Sequence, residues 1–214
     1  MNALKDVAYL SDDFENAPSK VAAEVLAAAL EDERLVVREK AVDLLTEGQH
    51  PEVAVVATAR LLESYKRSMW TLVETLMGRD GKRGTTQEAM RLLETSMRSA
   101  GRLRDDRIVD ALAGVLKAFP EEMRGQPVAQ AAVEALLDLG SQGAIAAVIG
   151  QFSGLRDPER AGAIQRSLES MALDHELDDS PEVEKDWKKA WNAWFRRHRK
   201  AFPPKLGKWK GERQ

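Results

Sequence analysis

Residues 186–202, DWKKAWNAWFRRHRKAF, combine side chains that bind phosphate groups with side chains that stack on bases or enter a lipid interface. The segment holds three of the chain's five tryptophans, two phenylalanines and six Lys or Arg residues. Lys and Arg neutralise phosphates, whereas aromatic rings stack on unpaired bases or lie among lipid headgroups. Three interpretations follow: a nucleic-acid site, a membrane-surface helix, or a helix that packs on the rest of the fold.

Helical spacing sorts these side chains onto separate faces. The apolar positions recur at i, i+3, i+4, i+7, i+8, i+11 and i+15 and form one stripe: Trp187, Ala190, Trp191, Trp194, Phe195, His198 and Phe202. Burial of four large aromatics yields roughly 15–25 kcal/mol gross, against about 1 kcal/mol per basic residue near an anionic surface. We therefore predict that a structural cap is formed by Trp187, Trp191, Trp194 and Phe195. The candidate partner-binding surface is the basic outer face: Lys188, Lys189, Arg196, Arg197, Arg199 and Lys200.

No other segment combines residues in a pattern that indicates a reaction. The three histidines, His50, His175 and His198, are far apart and none belongs to an HxxxH pair, and the chain has no cysteine. A basic run, which also carries acidic residues at helical spacing, is expected to be a solvated, ion-paired face: Arg91, Arg98, Arg102, Arg104 and Arg107. We therefore predict no catalytic residue, no metal site and no cofactor.

Charge is divided unevenly along the chain. The net charge is −3, but residues 185–214 carry eleven Lys/Arg and two acids, which gives +9. Residues 1–184 carry 21 Lys/Arg and 33 acids, which gives −12. This asymmetry indicates that the C-terminus contacts either an acidic partner or the protein's own acidic body.

Composition and the chain's first residues bear on its location. No apolar run is long enough for a transmembrane helix, and acidic residues interrupt the N-terminus, MNALKDVAYLSDDFEN, which also has no small-residue cleavage site. The absence of cysteine fits a reducing compartment. We expect a cytoplasmic protein.

The rest of the chain has the composition and periodicity of helices. Ala, Leu, Glu and Arg dominate, and apolar residues recur at spacings of three and four. We expect about ten helices, near 20–30, 33–47, 51–64, 66–77, 86–100, 104–118, 127–139, 142–153, 157–173 and 181–202, and a further short one at 2–9. Prolines at 51, 127, 158 and 181 mark helix starts, and glycines at 48, 101 and 140 mark helix ends. The expected fold is all-α, with a single domain over 1–202, a C-terminal capping helix over 181–202 and a flexible basic tail over 203–214.

Two helical hairpins share a pattern at a constant offset of 92 residues. Segments 36–57 and 128–149 align Val36 with Val128, Leu45 with Leu137, and further apolar positions that include Leu44 with Leu136, Val53 with Ile145 and Val56 with Val148. The offset is near two helical-repeat periods of about 40–47 residues. The segment 64–126 does not align cleanly, so a middle repeat would be degenerate.

These two hairpins resemble HEAT-repeat proteins of bacterial type. In LVVREKAVDLLTEGQHPEVAVVATARLLE, Val37 and Arg38 correspond to the family's Val-Arg pair, and Ala41 and Leu45 to its core positions. In the second hairpin Gln130 replaces the usual arginine. The acidic loop followed by a Trp-rich helix is also similar to the end of many bacterial HEAT proteins. The resemblance implies a right-handed α-solenoid of antiparallel helical hairpins that binds proteins and carries no catalytic residues.

Three functions from different classes remain open at the sequence level. The first is a non-catalytic scaffold or adaptor whose partner is another protein. The alternative is a nucleic-acid-binding role through the basic C-terminus, which would include the chemistry of HEAT-like alkylpurine DNA glycosylases, although their catalytic acid and tryptophans cannot be matched to positions here. The third is chromophore handling, because some HEAT-like proteins resemble bilin lyases. A membrane partner is not expected, and the sequence leaves the oligomeric state open.

Overall fold

The computed structural model describes residues 20–32, 34–47, 50–76, 83–119, 127–153, 155, 157–177, 179–181 and 186–208. All regular secondary structure in these ranges is helical, which confirms the all-α prediction. The helices are α1 (Lys20–Ala29), α2 (Leu35–Glu47), α3 (Pro51–Leu76), α4 (Arg83–Gly101), α5 (Asp106–Ala118), α6 (Pro127–Leu139), α7 (Gln142–Gly150), α8 (Pro158–Asp174) and α9 (Trp187–His198). A 3-10 turn, Arg199–Ala201, follows α9. The helix expected at 2–9 and the glycine expected to end a helix at 48 lie outside the described residues.

Local sequence explains where these helices begin and end. Pro51, Pro127 and Pro158 are first residues of helices, as predicted, because a first helical position needs no backbone N–H donor. Side-chain oxygens of Asp105, Ser141, Asp157 and Asp186 accept backbone N–H groups at the starts of α5, α7, α8 and α9. Gly140 ends α6 with a φ of +62°, a conformation in which a side chain would be strained.

Two predicted helix boundaries were wrong. The helices expected at 51–64 and 66–77 are one continuous helix, α3, because residues 52–76 contain neither glycine nor proline. Tyr65, at the expected break, is buried, and its hydroxyl lies 3.3 Å from Ser96 Oγ on α4. The last helix begins at Trp187 and not at Pro181, because Asp186 adopts a left-handed conformation and its carboxylate caps Lys189 N.

The helices pack in two rows. In one row α1 contacts α3, α3 contacts α5, and α5 contacts α7, which in turn contacts α9. In the other row α2 contacts α4, α4 contacts α6, and α6 contacts α8. Helices adjacent in sequence also touch across the rows, as α1 with α2 and α6 with α7. Each interior helix is therefore covered on several sides, and the core runs as one continuous cluster from Ala23 to Phe202.

The two hairpins matched at an offset of 92 residues have equivalent positions in this arrangement but unequal burial. They correspond to α2 with the start of α3, and to α6 with α7. Leu45 and Leu137 are both buried, whereas Val36 is 54% exposed and its counterpart Val128 is fully buried. Similarly, Val56 is 37% exposed and Val148 is buried. Among the described helices, α6 is flanked in its row by both α4 and α8, whereas α2 has α4 as its neighbour in the row.

No helix in the described part of the chain is both long enough and apolar enough to cross a bilayer.

Close packing between helices limits which glycines could be replaced by a larger residue. A Cβ placed on Gly101 at the end of α4 would lie 3.1 Å from Ala135 Cα and 3.2 Å from Ala135 Cβ on α6. By contrast, a Cβ on Gly150 at the end of α7 meets no atom within 4 Å.

This contrast predicts opposite effects for two identical substitutions. We expect Gly101→Ala to lower the free energy of unfolding by about 1 kcal/mol, because the strain of overpacking exceeds the gain in helix propensity. Gly150→Ala should leave the stability unchanged or raise it by about 0.5 kcal/mol. Urea unfolding followed by circular dichroism measures both. An equal stabilisation of the two variants would show that α4 and α6 are not packed this closely.

Candidate functional site: the C-terminal cap and its basic face

Helix α9 is fixed to the body by its aromatic side chains. Trp191 and Trp194 are both 0% exposed, and their rings meet edge to face with centroids 5.2 Å apart. At the start of the helix, Trp187 is half-buried and stacks on Phe152, with centroids 6.5 Å apart and planes 16° apart. Phe195 is also half-buried, and its ring centroid lies 6.3 Å from that of the buried Phe202. The four aromatics predicted as a structural cap therefore all face the body.

A single carboxylate, that of Asp179, joins three side chains of α9. Its Oδ1 accepts a hydrogen bond from Trp194 Nε1 at 3.1 Å and lies 2.7 Å from His198 Nε2. Its Oδ2 accepts a hydrogen bond from the Arg197 guanidinium at 3.3 Å. The bonds from His198, and then from Arg197 and Trp194, hold the pKa of Asp179 below its ordinary value in spite of some desolvation. The acidic loop before α9 thus provides a carboxylate that orients the helix.

Residues 202–208 form a strap across the starts of α7 and α5. Gln142, the first residue of α7, donates its backbone N–H to Pro203 O at 2.9 Å and its side-chain amide to the carbonyls of Arg199 and Phe202. Further along, the Asp106 carboxylate accepts the backbone N–H groups of Leu206 and Gly207 at 2.9 and 3.3 Å. Residues 203–208, part of the segment expected to be a flexible tail, therefore have backbone contacts with the N-termini of two helices. Residues 209–214 lie outside the described part of the chain.

The six predicted basic residues are all exposed, but their side chains have different surroundings. Lys188 donates to Ser153 Oγ at 3.2 Å, and Arg197 pairs with Asp179. The other four have no side-chain partner among the described residues: Lys189, Arg196, Arg199 and Lys200. Lys205 and Lys208 on the strap are likewise exposed and, within the same ranges, unpaired. We call the unpaired set the basic face: Lys189, Arg196, Arg199, Lys200, Lys205 and Lys208.

Many cations of the body, in contrast, are paired between helices or within turns. Arg91 on α4 bonds to Glu39 on α2 at 2.6 Å, and Arg102 lies 3.7 Å from Glu47. Arg107 bonds to the buried carboxylate of Asp105 at 2.9 Å. These contacts bear out the expectation of an ion-paired surface for three of the five arginines in that run.

A groove between α6 and α8 was not predicted from the sequence. It encloses about 760 Å³ beside the Gln130–Ser167 hydrogen bond. Glu134, Asp138 and Asp174 line it. Burial, together with the neighbouring carboxylates of Glu134 and Asp174, raises the pKa of Asp138. Spacing of four residues places Glu134 and Asp138 on one face of α6, but only the packing of α8 brings Asp174 beside them.

The histidines have structural contacts. His50 Nδ1 lies 3.7 Å from Glu52 Oε1, His175 packs edge to face on Phe202, and His198 lies against both Asp179 and Trp194. Within the described residues, no group of three His, Cys, Asp or Glu side chains is arranged so that it could hold a metal ion. The candidate site is therefore an exposed cationic surface beside a buried aromatic cap.

Truncation of a buried cap tryptophan should destabilise the whole fold. We expect Trp191→Ala or Trp194→Ala to lower the free energy of unfolding by about 3–5 kcal/mol. Trp187→Ala, at a half-buried ring, should have a smaller effect. Thermal and urea unfolding measure the three variants.

Two phenylalanine variants separate packing from hydrogen bonding. The buried Trp191 Nε1 has no partner in the described residues, whereas Trp194 Nε1 bonds to Asp179. Trp194→Phe should therefore destabilise more than Trp191→Phe by about 1 kcal/mol. If Trp191→Ala and Trp194→Ala were as stable as the wild type, the assignment of these tryptophans to a structural cap would be contradicted.

The lowered pKa of Asp179 predicts an acid-dependent loss of stability. The folded state holds this carboxylate ionised, so Asp179 contributes to the free energy of unfolding above pH about 4, where Asp in the unfolded chain is also ionised. This contribution is lost as the pH falls through the lowered pKa of Asp179 in the folded state. Asp179→Asn should remove this component, so the melting temperatures of variant and wild type should converge as the pH is lowered below about 4. Glu159→Gln, on the exposed start of α8, is the matched control. A difference between variant and wild type that is independent of pH would contradict the assignment.

Known proteins supply no model for this arrangement. No family model matches the chain, and no curated protein or solved structure matches it either.

Proposed function

We propose that this chain is a non-catalytic α-solenoid of the HEAT type that serves as a scaffold for another protein. The observation that carries the proposal is the two-row packing, in which each helix contacts the helix two positions further along the chain. Repeat proteins are built in this way, since each hairpin buries its apolar faces against the next one. Their long outer faces are used for binding macromolecules.

The outer face of the α2–α4–α6–α8 row offers a varied polar surface. Between α2 and α4 it is closed by the Arg91–Glu39 ion pair and by the bond from Ser99 Oγ to Asp43. Between α6 and α8 it opens into the 760 Å³ groove. A groove of this size on a rigid helical face can accommodate a side chain or a turn of a partner protein.

Nucleic-acid binding is the alternative, and the unpaired cations of the basic face favour it. Two features weigh against it: the net charge of −12 over residues 1–184 repels a long polyanion, and the buried rings of Trp191 and Trp194 cannot stack on bases. A mobility-shift assay with duplex and single-stranded DNA at about 50 mM salt tests it. Absence of a shift at this low salt would remove the alternative.

Site-specific photo-crosslinking tests the scaffold. A photoreactive amino acid is placed at Glu134 on the α6 face, at Asp110 on α5 and at Ala193 on α9, all of which are exposed. We expect one partner protein to crosslink at one of these positions in cells and to co-purify in a fixed ratio, identified by mass spectrometry. Absence of crosslinks at all three positions, together with monomeric elution from native lysate, would contradict the proposal.

A further inference from the structure

We infer that the basic face of α9 and the strap docks an acidic segment of a partner protein. This inference rests on the proposed scaffold function and names the surface and the chemistry of the partner. The basic face comprises Lys189, Arg196, Arg199, Lys200, Lys205 and Lys208, all exposed and without side-chain partners in the described ranges.

Two cations of α9 and one of the 3-10 turn after it form a stripe. Lys189 and Arg196 stand at i and i+7 on one side of α9, and Lys200 follows four residues later in the turn. At 1.5 Å per residue the stripe is about 16 Å long. The exposed Ala193 lies within it and leaves room for a partner's backbone to approach. This length matches two to three turns of a helix that carries acidic residues on one face.

Both supports of the basic face are held in place. The opposite side of α9 is fixed by Trp191 and Trp194, which are completely buried. The strap that carries Lys205 and Lys208 is fixed by backbone N–H groups bonded to Asp106. Because these exposed cations form no ion pair within the described residues, an anionic partner can bind them without displacing a carboxylate of the described body.

The surroundings of the basic face favour an acidic protein segment over nucleic acid or lipid. An interfacial membrane helix inserts aromatic rings, yet Trp191 and Trp194 face the body. A long duplex would extend from the basic face over the acidic body, whereas a short acidic segment ends where the cations end. Carboxylates on such a segment bind both Lys and Arg, and Arg can do so through two parallel hydrogen bonds.

Fluorescence anisotropy with a labelled synthetic peptide tests the inference. The probe is a helical peptide of about 16 residues with glutamates on one face, and a peptide of equal composition with glutamates distributed around the helix is its control. We expect the full-length chain to bind the first peptide at least about fivefold more tightly. The triple variant K189E/R196E/K200E should weaken this binding at least about tenfold and should keep the wild-type melting temperature.

A second triple variant provides a charge-matched control. K40E/R104E/K117E changes the net charge by the same amount at exposed sites on other elements and should bind the one-faced peptide within about threefold of wild type. A 12-base-pair duplex and vesicles of phosphatidylserine with phosphatidylcholine are measured at the same salt concentration.

Several results would overturn the inference. These are equal loss of binding in both triple variants, equal affinity for both peptides, no peptide binding, or tighter binding to the duplex or the vesicles. If peptide binding fails while crosslinks form at Glu134 or Asp110, the scaffold function stands and only this surface is wrong. If no partner crosslinks anywhere, the scaffold itself fails.

Discussion

The fold depends on one constraint: each helix has apolar surface that its neighbour in sequence covers only in part. The helix two positions further along covers the remainder, so the rows extend only while another helix follows. Helix α9 is the last α-helix in the described part of the chain. Its tryptophans lie on one side and its cations on the other. The sorting of residue types on α9 therefore matches its contacts, because the aromatic side packs on the described helices and the cationic side is exposed.

Polar contacts then determine how the final helix is oriented. Large aromatic rings provide burial but limited directional preference, whereas the Asp179 carboxylate binds three α9 side chains at defined distances. The strap adds backbone hydrogen bonds to two earlier helices. Apolar burial thus attaches α9, and a few hydrogen bonds set its register. The basic face is consequently a surface of fixed geometry.

The helical architecture could be predicted from sequence because its signals are local. Proline at the first helical position, capping side chains and apolar periodicity located most helices, and the amphipathic pattern of α9 placed Trp191 and Trp194 on a buried side. Contacts between residues distant in sequence left no such signal. The roles of Asp179 and Asp106 depend on where α8 and the strap lie in space, and the groove depends on the approach of Asp174 to α6. The break expected near Tyr65 does not occur, because α3 is continuous from Pro51 to Leu76.

The strap also changes how the molecule can come apart. In a simple stack of repeats, each unit interacts only with the next, so the terminal unit can fray independently. Here Leu206 and Gly207 bond to Asp106, about one hundred residues earlier in the chain. Opening of α9 together with the strap must break contacts with both α7 and α5, and closing this long loop is entropically unfavourable until the helices between them have formed. Amide exchange in the segment from α5 to α9 should accordingly report one cooperative unit, with the strap as its last part to form.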